Sequence, residues 1–295
     1  MPIKTEEGFI TANGLQIHYC RWSVPGTNPA LPHILLLHGL ASSAHIWNLV
    51  APQLILKGYT VTALDQRGHG ESEKPDSGYD FDTILADDVA AMNVLEIEHP
   101  LLVGHSWGAM VALQFAAVNA EQVKALVLVD GATNQLSARP GWSREQAIKD
   151  LAPPRFAVTP RETFLSYFRN SPLGGQWSPE LEESILQIVQ LRDDDTVAPR
   201  LDYENHLQII GAMWDQPTFD LYCKVHCPII LIVADQEPMN EAMKEFVNMR
   251  KRGIAHIQEV RSDVRIVIMQ NTIHDIPLQR PQELAEIIVK AGAIP

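Results

Sequence analysis

Ser106 lies in Gly104-His105-Ser106-Trp107-Gly108, between a short apolar run and a stretch opening Ala109-Met-Val-Ala-Leu that reads as a helix. Flanking glycines let the backbone turn sharply without a Cβ clash, which lifts the serine Oγ above the end of a strand. The Trp107 amide, at the helix N-terminus, then points to where an oxyanion would form. A serine hydroxyl alone is a weak nucleophile at neutral pH, so a base is required. Of 11 histidines, His274 follows the last apolar run across Gln270-Asn-Thr-Ile and precedes Pro277, on a loop beyond the final strand. His105 is read as pointing elsewhere, and His18, His33, His99, His206, His226 and His256 as hairpin, surface or element-end residues. The base in turn needs a carboxylate to hold its tautomer. Asp235 and Glu237 leave the carboxyl end of the strand 229–233, and Asp130 ends the strand 126–129; any of the three fits at this point. A second oxyanion donor is expected in the Leu40 amide, because His38-Gly39-Leu40 follows the buried run 34–37. His38 itself is read as bonding within its loop.

These groups must be held by a sheet. Residues 8–22 read as a hairpin on Asn13-Gly14, a dipeptide that tolerates positive φ at both turn positions. Short, wholly apolar runs at 33–37, 59–64, 101–103, 123–129, 229–233 and 265–269 suit strands buried on both faces of a parallel sheet. Helix-like segments at 44–56, 82–95, 108–119, 241–250 and 281–290 lie between them, so the fold class is α/β with helices on both faces. The alternation stops between about 134 and 219, a stretch without buried-strand runs that holds Trp142, Phe156, Phe164, Tyr167, Phe168, Trp177, Tyr203 and Trp214. Such a length is too great for a loop in a compact domain. It reads as a helical cap inserted into a core formed by 1–133 and 220–295.

Composition narrows the partners. The 295 residues are 46% apolar and 20% charged, with a formal net charge of −13. That sign repels phosphate backbones, and no basic block opposes it, so nucleic acid is excluded as a partner. The most apolar stretch, 34–56, is broken by His38, His45, Asn48 and Gln53; no membrane span is expected. Without a basic, apolar leader at the start, and with an odd three cysteines, the expected location is the cytoplasm. Cys223-Lys-Val-His226-Cys227 precedes a buried strand and matches no common zinc spacing, so its cysteines read as core-lining. Asp193-Asp-Asp195 and Arg250-Lys-Arg252 read as solvated helix ends. No phosphate loop or dinucleotide fingerprint is present, and neither metal nor cofactor is expected.

Taken together, the motifs resemble the α/β-hydrolase superfamily along nearly the whole chain. Those carrying the likeness are Leu-Leu-Leu-His38-Gly39, Asp65-Gln-Arg67-Gly68-His69-Gly70-Glu-Ser72, Gly-His-Ser106-Trp-Gly-Ala, Leu-Val-Leu-Val-Asp130-Gly and Ile-His274-Asp. The resemblance implies a mostly parallel sheet and a triad in the order Ser, acid, His. In the family the acid usually follows the seventh strand, often before proline, so the frame Ala234-Asp-Gln-Glu237-Pro238 implies Glu237, with Asp235 second and Asp130 third. Ile273 stands where relatives commonly have glycine. Relatives with epoxide hydrolase or dehalogenase activity carry Asp as nucleophile; Ser106 points instead to acyl chemistry. The expected activity is cofactor-free hydrolysis of a small apolar carboxylic ester or lactone by Ser106, His274 and Glu237, with Leu40 and Trp107 holding the oxyanion. The same triad serves carbon–carbon bond hydrolysis or perhydrolysis, and a ligand sensor on this scaffold is the non-enzymatic alternative.

Overall fold

In the computed structural model, which describes residues 4–25, 28, 30–155, 158–238 and 240–292, the chain first folds back at Asn13-Gly14. Both residues take positive φ, 48° and 78°, as a tight hairpin with right-twisted strands requires. The hairpin joins β1 (Lys4–Ala12) to β2 (Leu15–Ser23), and β3 (Ile34–Leu37) follows. A 3₁₀ turn at Ala44–Trp47 and the short α1 (Ala51–Ile55) take the place of the single helix expected over 44–56. The core continues through β4 (Val61–Leu64), α2 (Phe81–Val94), β5 (Leu101–His105), α3 (Trp107–Val118) and β6 (Ala125–Val129).

Eight strands form the main sheet in the order β1-β2-β4-β3-β5-β6, then β10 (Ile229–Asp235) and β11 (Arg265–Gln270). β1 and β2 are antiparallel to their neighbours, and every other pairing is parallel. Strands of four residues are too short to persist alone. Burial on both faces holds them: Leu35 and Leu37 pack with α2 and α3 on one side, Ile34 and Leu36 with Trp47 and Leu54 on the other. Each such side chain contributes about 1.5–3 kcal/mol when fully withdrawn from water.

Between β6 and β10 the chain runs through α4 (Arg144–Leu151), β7 (Thr159–Pro160), α5 (Arg161–Arg169), α6 (Pro179–Ile188), β8 (Val189–Leu191), β9 (Thr196–Pro199), α7 (Tyr203–Asp215) and α8 (Thr218–Lys224). The expectation of a wholly helical segment is corrected here. β7, β9 and β8 pair as a small antiparallel sheet. These strands are two to four residues long and mostly exposed or half-exposed, so no buried apolar run announces them. Asp193-Asp-Asp195 is part of the β8–β9 turn and not a helix end; Asp194 Oδ1 accepts from the Thr196 hydroxyl at 2.6 Å. Phe156 lies outside the described residues.

After β10, α9 (Glu241–Val260) runs ten residues beyond the expected end at 250. α10 (Ile276–Gln279) and α11 (Pro281–Gly292) follow β11. Among the described residues no helix is long and apolar enough to cross a membrane.

Candidate active site

β5 delivers Ser106 to the carboxyl edge of the sheet, between β3 and β6. The serine is held at φ 56° and ψ −117°, a conformation that non-glycine residues adopt only where surrounding structure imposes it. The turn is this tight because Gly108 has no side chain. A Cβ there would come within 2.4 Å of the His38 carbonyl oxygen. Gly39 also lies close to the turn, where a Cβ would stand 3.0 Å from Ser106 Cβ. The loop carrying the Leu40 amide therefore packs directly on the serine. Among the described residues, neither the Leu40 nor the Trp107 amide donates to the backbone of a loop or strand neighbour. His38 holds this loop in shape, as expected: its Nδ1 donates to Gly39 O at 2.7 Å and its Nε2 accepts from the Gln66 amide at 3.0 Å.

His274 stands 2.9 Å from Ser106 Oγ through Nε2, and its Nδ1 is 2.7 Å from Asp130 Oδ2. With the Nδ1 proton donated to the carboxylate, Nε2 is left as the acceptor of the serine hydroxyl proton. The loop presenting the imidazole is pinned by Thr272 N to Asp235 O and by Ile273 N to Gln279 Oε1. His105 does not point away, as the sequence suggested. Its ring lies 4.9 Å from that of His274, and its Nε2 donates to the His274 carbonyl at 2.9 Å.

Glu237, the acid implied by the family frame, is exposed in the loop after β10, and Asp235 is half-buried at the strand end. The carboxylate on His274 is that of Asp130, at the end of β6. The physical reason is the set of donors available there. Asp130 Oδ1 accepts from Ala234 N at 2.9 Å and from Arg250 Nη1 at 3.1 Å, while Oδ2 faces the imidazole. Arg250 is also misread from sequence: it is no solvated helix end but a buried side chain in the middle of α9. A signal for it existed. Val247, Arg250 and Ile257 are spaced along one helix face and all three are buried, so the arginine falls on an apolar stripe.

Burial works against the charge of Asp130, but the His274 hydrogen bond, then the His274 and Arg250 charges and the Ala234 amide, together hold its pKa below the usual carboxylate range. Protein packed around the His274 ring likewise opposes the imidazolium, although 52% of the side chain meets solvent. The hydrogen bond and charge of Asp130, with Asp275 adding to them, outweigh that packing and raise the histidine above its ordinary value. Burial, then the neighbouring His274, push His105 down to about 4, so it is neutral.

Away from this site, donor atoms of Glu7, His18 and Cys20 lie within 4.8 Å of one another. His18 already donates Nδ1 to Asp65 at 2.8 Å, and burial pushes the Cys20 thiol far up, away from the thiolate a metal would take. Of the other two cysteines, Cys227 is buried and Cys223 exposed.

The inserted segment is tied to the elements around the site. Gln176 Nε2 donates to Gln279 O at 2.9 Å, Asn205 Nδ2 to the Tyr79 hydroxyl at 2.8 Å, and Gln216 Nε2 to Met110 O at 3.0 Å.

Comparison with known proteins agrees with this architecture. Epoxide hydrolase A of Mycobacterium tuberculosis is 30% identical over 164 residues, which is 55% of this chain and 44% of that protein. The chain spans about half the length of the curated relatives it matches. Among solved structures, the thioesterase domain from the curacin biosynthetic pathway superposes with a TM-score of 0.74 at 24% identity, covering 97% of this chain and 99% of that one. E-2-(acetamidomethylene)succinate hydrolase gives 0.75 at 19% identity, covering 99% and 100%. At these identities the two structures speak for the fold. A profile of the alpha/beta hydrolase fold family matches residues 32–264, and the chain belongs to that family.

Proposed function

We propose that the protein is a serine hydrolase that cleaves a carboxylic ester or lactone of a small apolar substrate through an acyl-enzyme. The observation that carries this reading is the unbroken hydrogen-bonded line from Ser106 Oγ through His274 to Asp130. His274 Nε2 takes the hydroxyl proton as Ser106 Oγ attacks the carbonyl carbon. The resulting oxyanion sits against the amides of Leu40 and Trp107. Collapse of the tetrahedral species expels the alkoxide, which receives the proton from His274. Water then repeats the sequence on the acyl-serine, with His274 again moving the proton. Asp130 keeps Nδ1–H toward itself and stabilises the imidazolium without taking the proton.

The serine supports this chemistry over that of the relatives named epoxide hydrolases. Opening an epoxide through an alkyl-enzyme ester needs a carboxylate nucleophile, and Ser106 supplies a hydroxyl. The segment 134–219 serves in this reading as a cap over the site.

Steady-state hydrolysis of nitrophenyl esters of increasing acyl length, with Ser106→Ala as control and styrene oxide in parallel, tests the proposal. Ester turnover lost by about 10⁵–10⁶-fold in Ser106→Ala is expected. Folded protein that leaves every ester intact, or that opens the epoxide, would overturn it.

A further inference from the structure

We infer that Arg250 is a positioning residue of this site, locking the Asp130 carboxylate so that Oδ2, and not Oδ1, faces His274. The inference rests on reading Ser106, His274 and Asp130 as the triad. Its basis is a closed ring of contacts. Arg250 Nη1 donates to Asp130 Oδ1 at 3.1 Å and Nη2 to the Ala234 carbonyl at 2.5 Å, while the Ala234 amide returns to Asp130 Oδ1 at 2.9 Å. One guanidinium thus spans the side chain at the end of β6 and the backbone of β10. Only 9% of the arginine side chain and 4% of the aspartate are exposed. Rotation of the carboxylate would break two donors at once, one of them charge-assisted. A planar fork reaches both acceptors together; a lysine ammonium carries the charge without that fixed geometry.

The guanidinium also stands on the far side of the carboxylate from the imidazole. It therefore opposes a second positive charge on His274, against the pull of Asp130. The groups that act on His274 are Asp130 from β6, Asp275 from its own loop, His105 from β5 and Arg250 from α9. His105 is neutral, so Arg250 is the cation of the set. Without it the imidazolium is favoured and the base is freed only at higher pH.

The test is an NMR titration of the His274 ring C–H, assigned by its absence in His274→Gln, in the unaltered protein, Arg250→Lys and Arg250→Gln. Arg250→Gln keeps a donor and removes the charge; its His274 midpoint should rise by roughly one pH unit, with kcat down about 10-fold and KM little changed. Arg250→Lys should restore the midpoint but only part of kcat. An unmoved midpoint in Arg250→Gln, or the same displacement in both variants, would overturn the inference. If neither variant folds, the unaltered protein decides. Slowly exchanging guanidinium protons in contact with the Phe246 ring, whose centroid is 5.9 Å away, are expected, and rapid exchange would sink the lock. The titration does not depend on turnover, so absent ester hydrolysis would count against the proposed function alone.

Discussion

The ends of β6 and β10 are neighbours in one sheet, parallel and in register at Val129 and Ile232, yet they treat their carboxylates differently. At the end of β6, Asp130 is buried, accepts from three groups and bends to φ 45°. At the end of β10, Asp235 is half-buried and Glu237 is exposed. Leaving a strand at the reactive edge is therefore not what makes a carboxylate part of the site. What distinguishes Asp130 is a set of donors that outweighs the cost of withdrawing its charge from water.

The largest effect that bears on this contrast is Asp130→Asn, which removes the charge behind His274 and permits the wrong tautomer. A fall in kcat of about 10³–10⁴-fold is expected; retention of most activity would move the acid back to β10. Next comes the pH profile. His274 must be neutral to accept the serine proton, and its pKa is raised above 6.5. The acidic limb of kcat/KM should therefore have its midpoint above pH 6.5, and lie lower in any active Asp130→Asn enzyme. A smaller effect concerns stability. Asp130 titrates below its unfolded value, so its stabilisation is present above about pH 4 and is lost as the pH falls through the folded value. Thermal midpoints measured from pH 6 to pH 3 should fall further in the unaltered protein than in Asp130→Asn, by about 2–4 °C. Smallest of all, Glu237→Gln and Asp235→Asn should each leave kcat/KM within about 2-fold of the original, since neither carboxylate reaches the imidazole.

Much of this site was legible in the sequence. The apolar runs at 34–37, 101–103 and 126–129 could only be strands buried on both faces. The glycines around Ser106 and the loop after the last strand pointed to two residues that the fold brings within 2.9 Å of each other, Ser106 and His274. The acid was not legible because three carboxylates end strands on the same edge, and local spacing does not separate them. The deciding donor, Arg250, comes from a helix 120 positions further along the chain, and the family frame for the acid pointed to Glu237 after β10. The small sheet of β7, β8 and β9 escaped notice for the opposite reason: its strands are brief and half-wet, and a two-residue period cannot be read from so few positions.

The bonds at the roots of the inserted segment carry an engineering consequence. The segment 134–219 begins shortly after Asp130, which bonds to His274, and near its far end Gln216 bonds to the first turn of α3, the helix that follows Ser106. Both ends thus lie beside bonds to the candidate site, like a handle riveted at each end. A graft that exchanges this segment for a foreign one has natural seams just inside those rivets. Cutting outside them would remove bonds that hold His274 and the helix after Ser106 in place.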